Sequence, residues 1–286
     1  MGFLLLSIIS STFITLIFKL ITRRKIDIFS SIVVNYQVAC LLGFAFANFS
    51  GGFFLSQKLV AAAVIVGILF ISTFYLIGYC TSKVGMGTTT VASKMSLAIP
   101  VSISFLIDPS DNFTLTKALV LALAVIAVAL ATYQKNSSTN KKDLAGLFLP
   151  ILVFVMMGLT DSMVKVAQQL VIPDGYSSNF TALVFGIAGL IGLAILLSKK
   201  GVQTLSSWQT WKWGALLGAA NFGSLLFFLH ALNSKIPSST IFSVNNIGIV
   251  ILSIAIGTLL FKEKLTMLNV AGVAASIICI ICLSAI

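Results

Sequence analysis

Long apolar runs, separated by short polar breaks, dominate the chain. They fall near 3–21, 28–47, 59–80, 88–107, 117–133, 144–169, 179–197, 214–232, 240–260 and 267–285. Each is about the 20 residues a helix needs to cross a bilayer. The runs are continuous and not alternating, so they predict helices and not barrel strands, because a helix satisfies its own backbone inside lipid. The fold expected is all-α and integral to a membrane, with ten transmembrane helices. The first run has no basic residue ahead of it, so it lacks the charged start of a secretory signal and reads as a retained span.

One connector, 133–143 (YQKNSSTNKKD), is markedly polar and divides the spans five and five. The organisation predicted is a first five-helix repeat over 1–133, a polar connector over 134–143, and a second five-helix repeat over 144–286. Sliding the second half over the first by 152 positions lays Ser234 and Lys235 on Ser82 and Lys83, Thr240 on Thr88, Glu263 on Asp111 and Thr266 on Thr114. A separate alignment sets Thr15 and Lys19 against Asp161 and Lys165. An odd number of spans per copy inverts the second copy, which predicts a site near the midplane where the repeats meet.

Charge supports the inversion. Odd-numbered connectors carry twelve Lys and Arg, even-numbered ones only Lys58, Lys117 and Lys235. The net charge of +11 therefore reads as a topology signal and not as a nucleic-acid surface, and it puts both termini outside the cytoplasm. Charged residues make up 9% of the chain against about 25% in soluble domains, which excludes a water-soluble enzyme. Cys40, Cys80, Cys279 and Cys282 lie in or beside apolar runs, where a thiol behaves as a small hydrophobe.

The closing stretch 259–283 (LLFKEKLTMLNVAGVAASIICIICL) carries Glu263, Leu265 and Thr266 before the last span and Gly272 inside it. The first half has a comparable element at 100–122, with Asp111 in place of the Glu and Pro109 inserted. With ten spans in two inverted groups, this resembles the EamA branch of the drug/metabolite transporter superfamily. The resemblance implies a secondary transporter that moves small metabolites by alternating access. It also implies cytoplasmic termini, opposite to the charge count.

Ionisable groups within spans are expensive, so each one invites a role. Lys94 sits about six residues into the fourth run, roughly 9 Å below the connector, too deep for easy snorkelling. The 152-residue offset pairs Ser93 with Asn245 and Lys94 with Asn246. The expectation is that Lys94 supplies a cation to a carboxylate or phosphate while the asparagines offer donors and acceptors to the rest of the substrate. The plainer alternative is that the asparagines hold neighbouring helices together.

Asp161 and Lys165, four apart with the acid first, read as an ion pair on one helix face. The sharper reading gives Asp161 a coupling proton or a substrate amine. Tyr75 and Tyr79, one turn apart, either pack in the core or present hydroxyls to the substrate. His230, the one histidine, reads as a satisfied interfacial residue, with proton carriage the alternative. Pro100 lies inside the fourth run, where it would clash with the carbonyl of Ser96 and kink the helix, a candidate hinge. Gly186, Gly189, Gly192, Gly214 and Gly218 permit close helix approach.

No phosphate-cradling loop, metal-ligand cluster or nucleophile elbow is present. The chain therefore reads as a non-enzyme without cofactor or metal, driven by gradients. Its expected partners are a small-molecule metabolite, the lipid bilayer and a coupling proton, with no nucleic acid, as a monomer or weak homodimer in a bacterial inner (plasma) membrane. The leading function is secondary transport of a small polar, anionic or zwitterionic metabolite. The alternatives are a broad exporter of amino acids or amphiphilic compounds, and an integral-membrane enzyme or non-transporting receptor.

Overall fold

The structure, a computed structural model, describes residues 1–49, 54–84, 86–108, 114–132, 144–198, 205, 207–262 and 266–285. The connector 134–143, Pro109, Asp111, Lys199, Lys200, Glu263 and Leu265 lie outside the described residues. Eleven helices account for nearly all of the rest: α1 (Gly2–Arg23), α2 (Ile28–Phe49), α3 (Gln57–Val84), α4 (Met86–Met95), α5 (Ala98–Ile107), α6 (Leu115–Thr132), α7 (Leu144–Leu170), α8 (Ser177–Ser198), α9 (Trp208–Leu232), α10 (Ser238–Phe261) and α11 (Met267–Ala285). No strand occurs among the described residues.

Seven of these helices are long and apolar enough to cross a membrane, so the protein is a multi-pass membrane protein. Shorter apolar helical stretches over Ala92–Ile107, Leu115–Ala127 and Val270–Cys279 occupy the remaining runs. The packing is also that of a protein whose solvent is lipid. On α1, Ser7 and Thr12 are buried beside Leu4 and Ile8, while Phe3, Leu6, Ile9 and Phe13 are 43–50% exposed. A soluble helix would reverse that arrangement. Here polar groups turn inward, where they find partners, and large apolar ones turn outward. The Thr12 hydroxyl, for example, donates to the Ile8 carbonyl at 2.7 Å.

The chain forms two compact units, and each is built from both halves of the sequence. Unit 1 comprises residues 1–75 and 166–234, unit 2 residues 76–165 and 235–286. In unit 1, α2 packs against both α8 and α9, and α1 lies along α9. Small residues allow this. A Cβ on Gly218 of α9 would sit 2.6 Å from the Asn35 carbonyl oxygen, and one on Gly214 would sit 2.6 Å from Val34 Cβ. Gly43 of α2 meets Ala182 of α8 in the same way, its Cβ position 2.7 Å from Ala182 Cα. The close approach read from Gly214 and Gly218 in the sequence is therefore realised. Gly218→Ala should cost about 1–3 kcal/mol by forcing α2 away from α9. A lowered unfolding midpoint in detergent would register it, and an unchanged midpoint would show that the backbones can part freely.

Tyr36 of α2 is fully buried in unit 1, its ring stacked on Phe185 at 5.8 Å and meeting Phe74 edge-on at 5.9 Å. Unit 2 packs α6 against α4 and α11, and α10 against α5, α6 and α11. Cys80, Ala92, Leu149 and Val153 form an apolar cluster in it. All four cysteines are free thiols.

Candidate functional site

The fourth apolar run is not one helix. α4 stops at Met95, residues 96 and 97 form a turn, and α5 begins at Ala98. Proline chemistry explains the position of the break. In a continuous helix Pro100 would lack the N–H that bonds the Ser96 carbonyl, and its ring would press on that carbonyl. With Leu97 as N-cap, Pro100 falls in the first turn of a new helix, where a missing N–H leaves nothing unpaired. The freed Ser96 carbonyl instead accepts from the Ile99 amide at 3.0 Å, and the Ser96 hydroxyl donates to the Ser93 carbonyl at 2.6 Å. The kink expected from Pro100 takes the form of a two-residue turn at 96 and 97, with Leu97 itself in the right-handed helical region and its carbonyl accepting from the Val101 amide at 3.2 Å.

Lys94 occupies the last turn of α4, where a cation is favoured by the negative end of the helix dipole. Ser93 and Lys94 are both half-buried. Across from them, α7 carries Asp161, also half-buried, and Lys94 and Asp161 lie close enough to act on one another electrostatically. Among the described residues neither makes a direct ion pair or hydrogen bond. Two opposite charges are therefore held near each other, but not in contact, beside a broken helix.

The expected pairing of Asp161 with Lys165 is replaced by a different one. Lys165, with no exposed side-chain surface, reaches Asp108 at 3.1 Å, and Asp108 is 8% exposed. The Ser238 hydroxyl, at the start of α10, donates to the same carboxylate oxygen. An i,i+4 pair on one helix contributes only about 0.2–0.5 kcal/mol, so it yields when a buried carboxylate on another helix can supply fixed partners. Asp108 caps the end of α5, where an acid opposes the helix dipole. In a chain with only seven acids, that misplacement was the signal that could have found it.

Two contacts set the register of α5 on α7. A Cβ on Gly158 would lie 2.3 Å from Ile99 Cδ1, at the start of α5, while Lys165 meets Asp108 at its end. Seven residues of α7 rise about 10 Å and nine of α5 about 13 Å, so the two helices run side by side in the same direction. Gly158 lets α5 seat directly on α7, with Asp161 between the two contacts.

Asn245 and Asn246 lie on α10 of the same unit, and both are buried. The Asn246 amide donates to the Phe242 carbonyl at 3.0 Å, whereas the Asn245 side-chain oxygen has no partner. Buried polar atoms are nearly always paired, so this oxygen is an exception. The tyrosines behave otherwise. Tyr75 belongs to unit 1, 48% exposed and edge-on to Phe29, and Tyr79 belongs to unit 2, 45% exposed with the Lys83 ammonium 5.9 Å from its ring centre. Core packing, the plainer reading of both, is corrected: ring exposure near one half leaves them outside either core. His230 packs on Phe3 at 5.0 Å, and its Nδ1 lies 2.8 Å from the Leu226 carbonyl oxygen, as a satisfied interfacial residue would. No group of three metal-ligating side chains occurs among the described residues.

No protein-family model matches the chain. A protein of Haemophilus influenzae (strain ATCC 51907 / DSM 11121 / KW20 / Rd), described as uncharacterized, is 27% identical over 290 residues that cover 98% of this chain and 96% of the relative. A solved crystal structure, described only as that of a protein, has a TM-score of 0.76 at 7% identity, covering 98% of this chain and 94% of its own. The fold is thus shared nearly end to end with a solved protein of very different sequence.

Proposed function

We propose that the chain is a secondary transporter of the drug/metabolite transporter type, with ten spans in two inverted five-helix repeats. It moves a small polar metabolite bearing a carboxylate or phosphate, anionic or zwitterionic, by alternating access. The observation that carries this reading is the Lys94 and Asp161 arrangement at the interrupted α4–α5 segment. A half-buried cation and a half-buried anion within a membrane span that do not neutralise each other by contact are costly unless a ligand completes them.

In this reading Lys94 holds the substrate anion, and the free Asn245 oxygen accepts from a substrate donor. Asp161 takes the substrate ammonium or, when the substrate has none, a coupling proton. Discontinuous helices recur at the sites of membrane transporters, where the interruption lines the cavity that takes the solute. The break before Pro100 serves as the hinge.

Counterflow in vesicles tests this. Purified protein, reconstituted with a panel of unlabelled amino acids and phosphorylated metabolites inside, should exchange at least one of them saturably for labelled solute outside. For a substrate without an ammonium, Asp161→Asn should abolish acceleration by an inward proton gradient while leaving exchange measurable. Absence of saturable exchange across the panel, with turnover of a lipid-soluble compound instead, would point to an integral-membrane enzyme and reject the proposal.

A further inference from the structure

The chain has three tryptophans, and all of them, Trp208, Trp211 and Trp213, lie in the first six residues of α9. Trp208 is 76% exposed and Trp211 45%, while Trp213 is buried. Indole rings concentrate at the headgroup level of a bilayer, so this cluster marks where α9 meets the membrane surface. The Trp211 indole donates to the Leu205 carbonyl at 2.7 Å, which fixes its ring at that level.

The end of α1 lies in the same corner of unit 1. Trp213 and Leu217 pack with Ile17 and Ile21, and this packing carries the turn after α1 over the beginning of α9. The Arg24 guanidinium sits 5.0 Å from the Trp213 ring centre, within cation–π range. Exposed bases from stretches far apart in sequence therefore gather at this end of the unit: Arg23, Arg24 and Lys25 where α1 ends, and Lys212 in the second turn of α9. The acid of the turn, Asp27, accepts from the Ser30 amide at 2.7 Å at the start of α2.

The start of α9 adds to the attraction for an anion. α9 starts at Ser207 without any side-chain cap on its first amides, so the positive end of its dipole is open. The Trp213 indole N–H, on a residue 8% exposed, has no acceptor. That nitrogen is closed off inside the α1–α9 packing, while the ring face beside it holds the Arg24 guanidinium.

We propose that this corner binds the phosphate headgroup of an anionic phospholipid. Arg24, oriented on Trp213, offers a paired donor edge to phosphate oxygens, and the exposed Lys25 and Lys212 add positive charge at the same end of the unit. Trp208 and Trp211 pack beside the glycerol and upper acyl chain. A zwitterionic headgroup brings its own cation against these four bases and is disfavoured.

Native mass spectrometry of the full chain in neutral detergent reads this directly. Dioctanoyl-phosphatidylglycerol should be retained about tenfold more tightly than dioctanoyl-phosphatidylcholine, and the preference should shrink as ionic strength rises. The triple variant R24Q/K25Q/K212Q should lose the preference. Lys25→Gln alone, at an exposed turn, should lose part of it even if the triple variant fails to fold. Inorganic phosphate at the same concentration should not displace the lipid. Equal retention of the two lipids, a preference untouched by the substitutions or by salt, or displacement by phosphate alone would each overturn the proposal.

Discussion

Lys165→Met should lower the stability of the folded protein by about 3–5 kcal/mol, the range for removing one partner of a buried ion pair. The Lys165 side chain has no exposed surface and Asp108 only 8%, so the carboxylate left behind cannot turn to water. Ser238 would remain as its hydrogen-bond donor but supplies no charge. The double variant Asp108→Asn with Lys165→Met should recover most of the loss, because two neutral side chains no longer strand a charge. Unfolding midpoints of the three proteins in one detergent decide it. A single variant that loses under about 1 kcal/mol would mean the pair is solvated after all.

The second large effect concerns Lys94. Lys94→Ala should weaken the apparent affinity for the exchanged anion by about two orders of magnitude or more, the consequence of truncating one side of a buried charge pair. Lys94→Arg should retain part of it, since the charge persists with different geometry. Asp161 would also lose its neighbouring cation, so a parallel unfolding measurement should show a smaller change than the affinity does. Unchanged half-saturation in both variants would remove Lys94 from the binding site.

The helices themselves were legible because lipid demands long apolar runs, and that signal is local. The glycines of α8 and α9 were legible for the same kind of reason: a missing Cβ has no use on a lipid-facing surface as strong as its use in close packing. Pro100 named the carbonyl it would offend, Ser96, and the helix breaks there. What local spacing could not supply was choice of partner. Asp161 and Lys165 satisfy the i,i+4 rule, yet Lys165 bonds a residue on α5 and Asp161 responds to Lys94 on α4. Both are tertiary outcomes, and for Lys165 the close approach of α5 that Gly158 allows is part of the reason. Repeat register alone set Ser93 against Asn245 and Lys94 against Asn246, and the structure adds that the Asn245 oxygen is unpaired. Tyr75 and Tyr79 carry no sequence feature that separates an exposed ring from a packed one.

The division of each compact unit between the two halves of the sequence has a consequence for biogenesis. Asn35 on α2 accepts a hydrogen bond from Asn221 on α9, 186 residues later in synthesis. When α1 and α2 leave the ribosome, the helices that will cover their Ser, Asn and Gly faces do not yet exist. Those faces must wait beside the insertion machinery or in lipid until α8 and α9 arrive, and pairing over such a separation is slow. A chain severed within 134–143 would leave neither fragment able to complete a unit alone. Co-expression of the two fragments would be needed to restore both units.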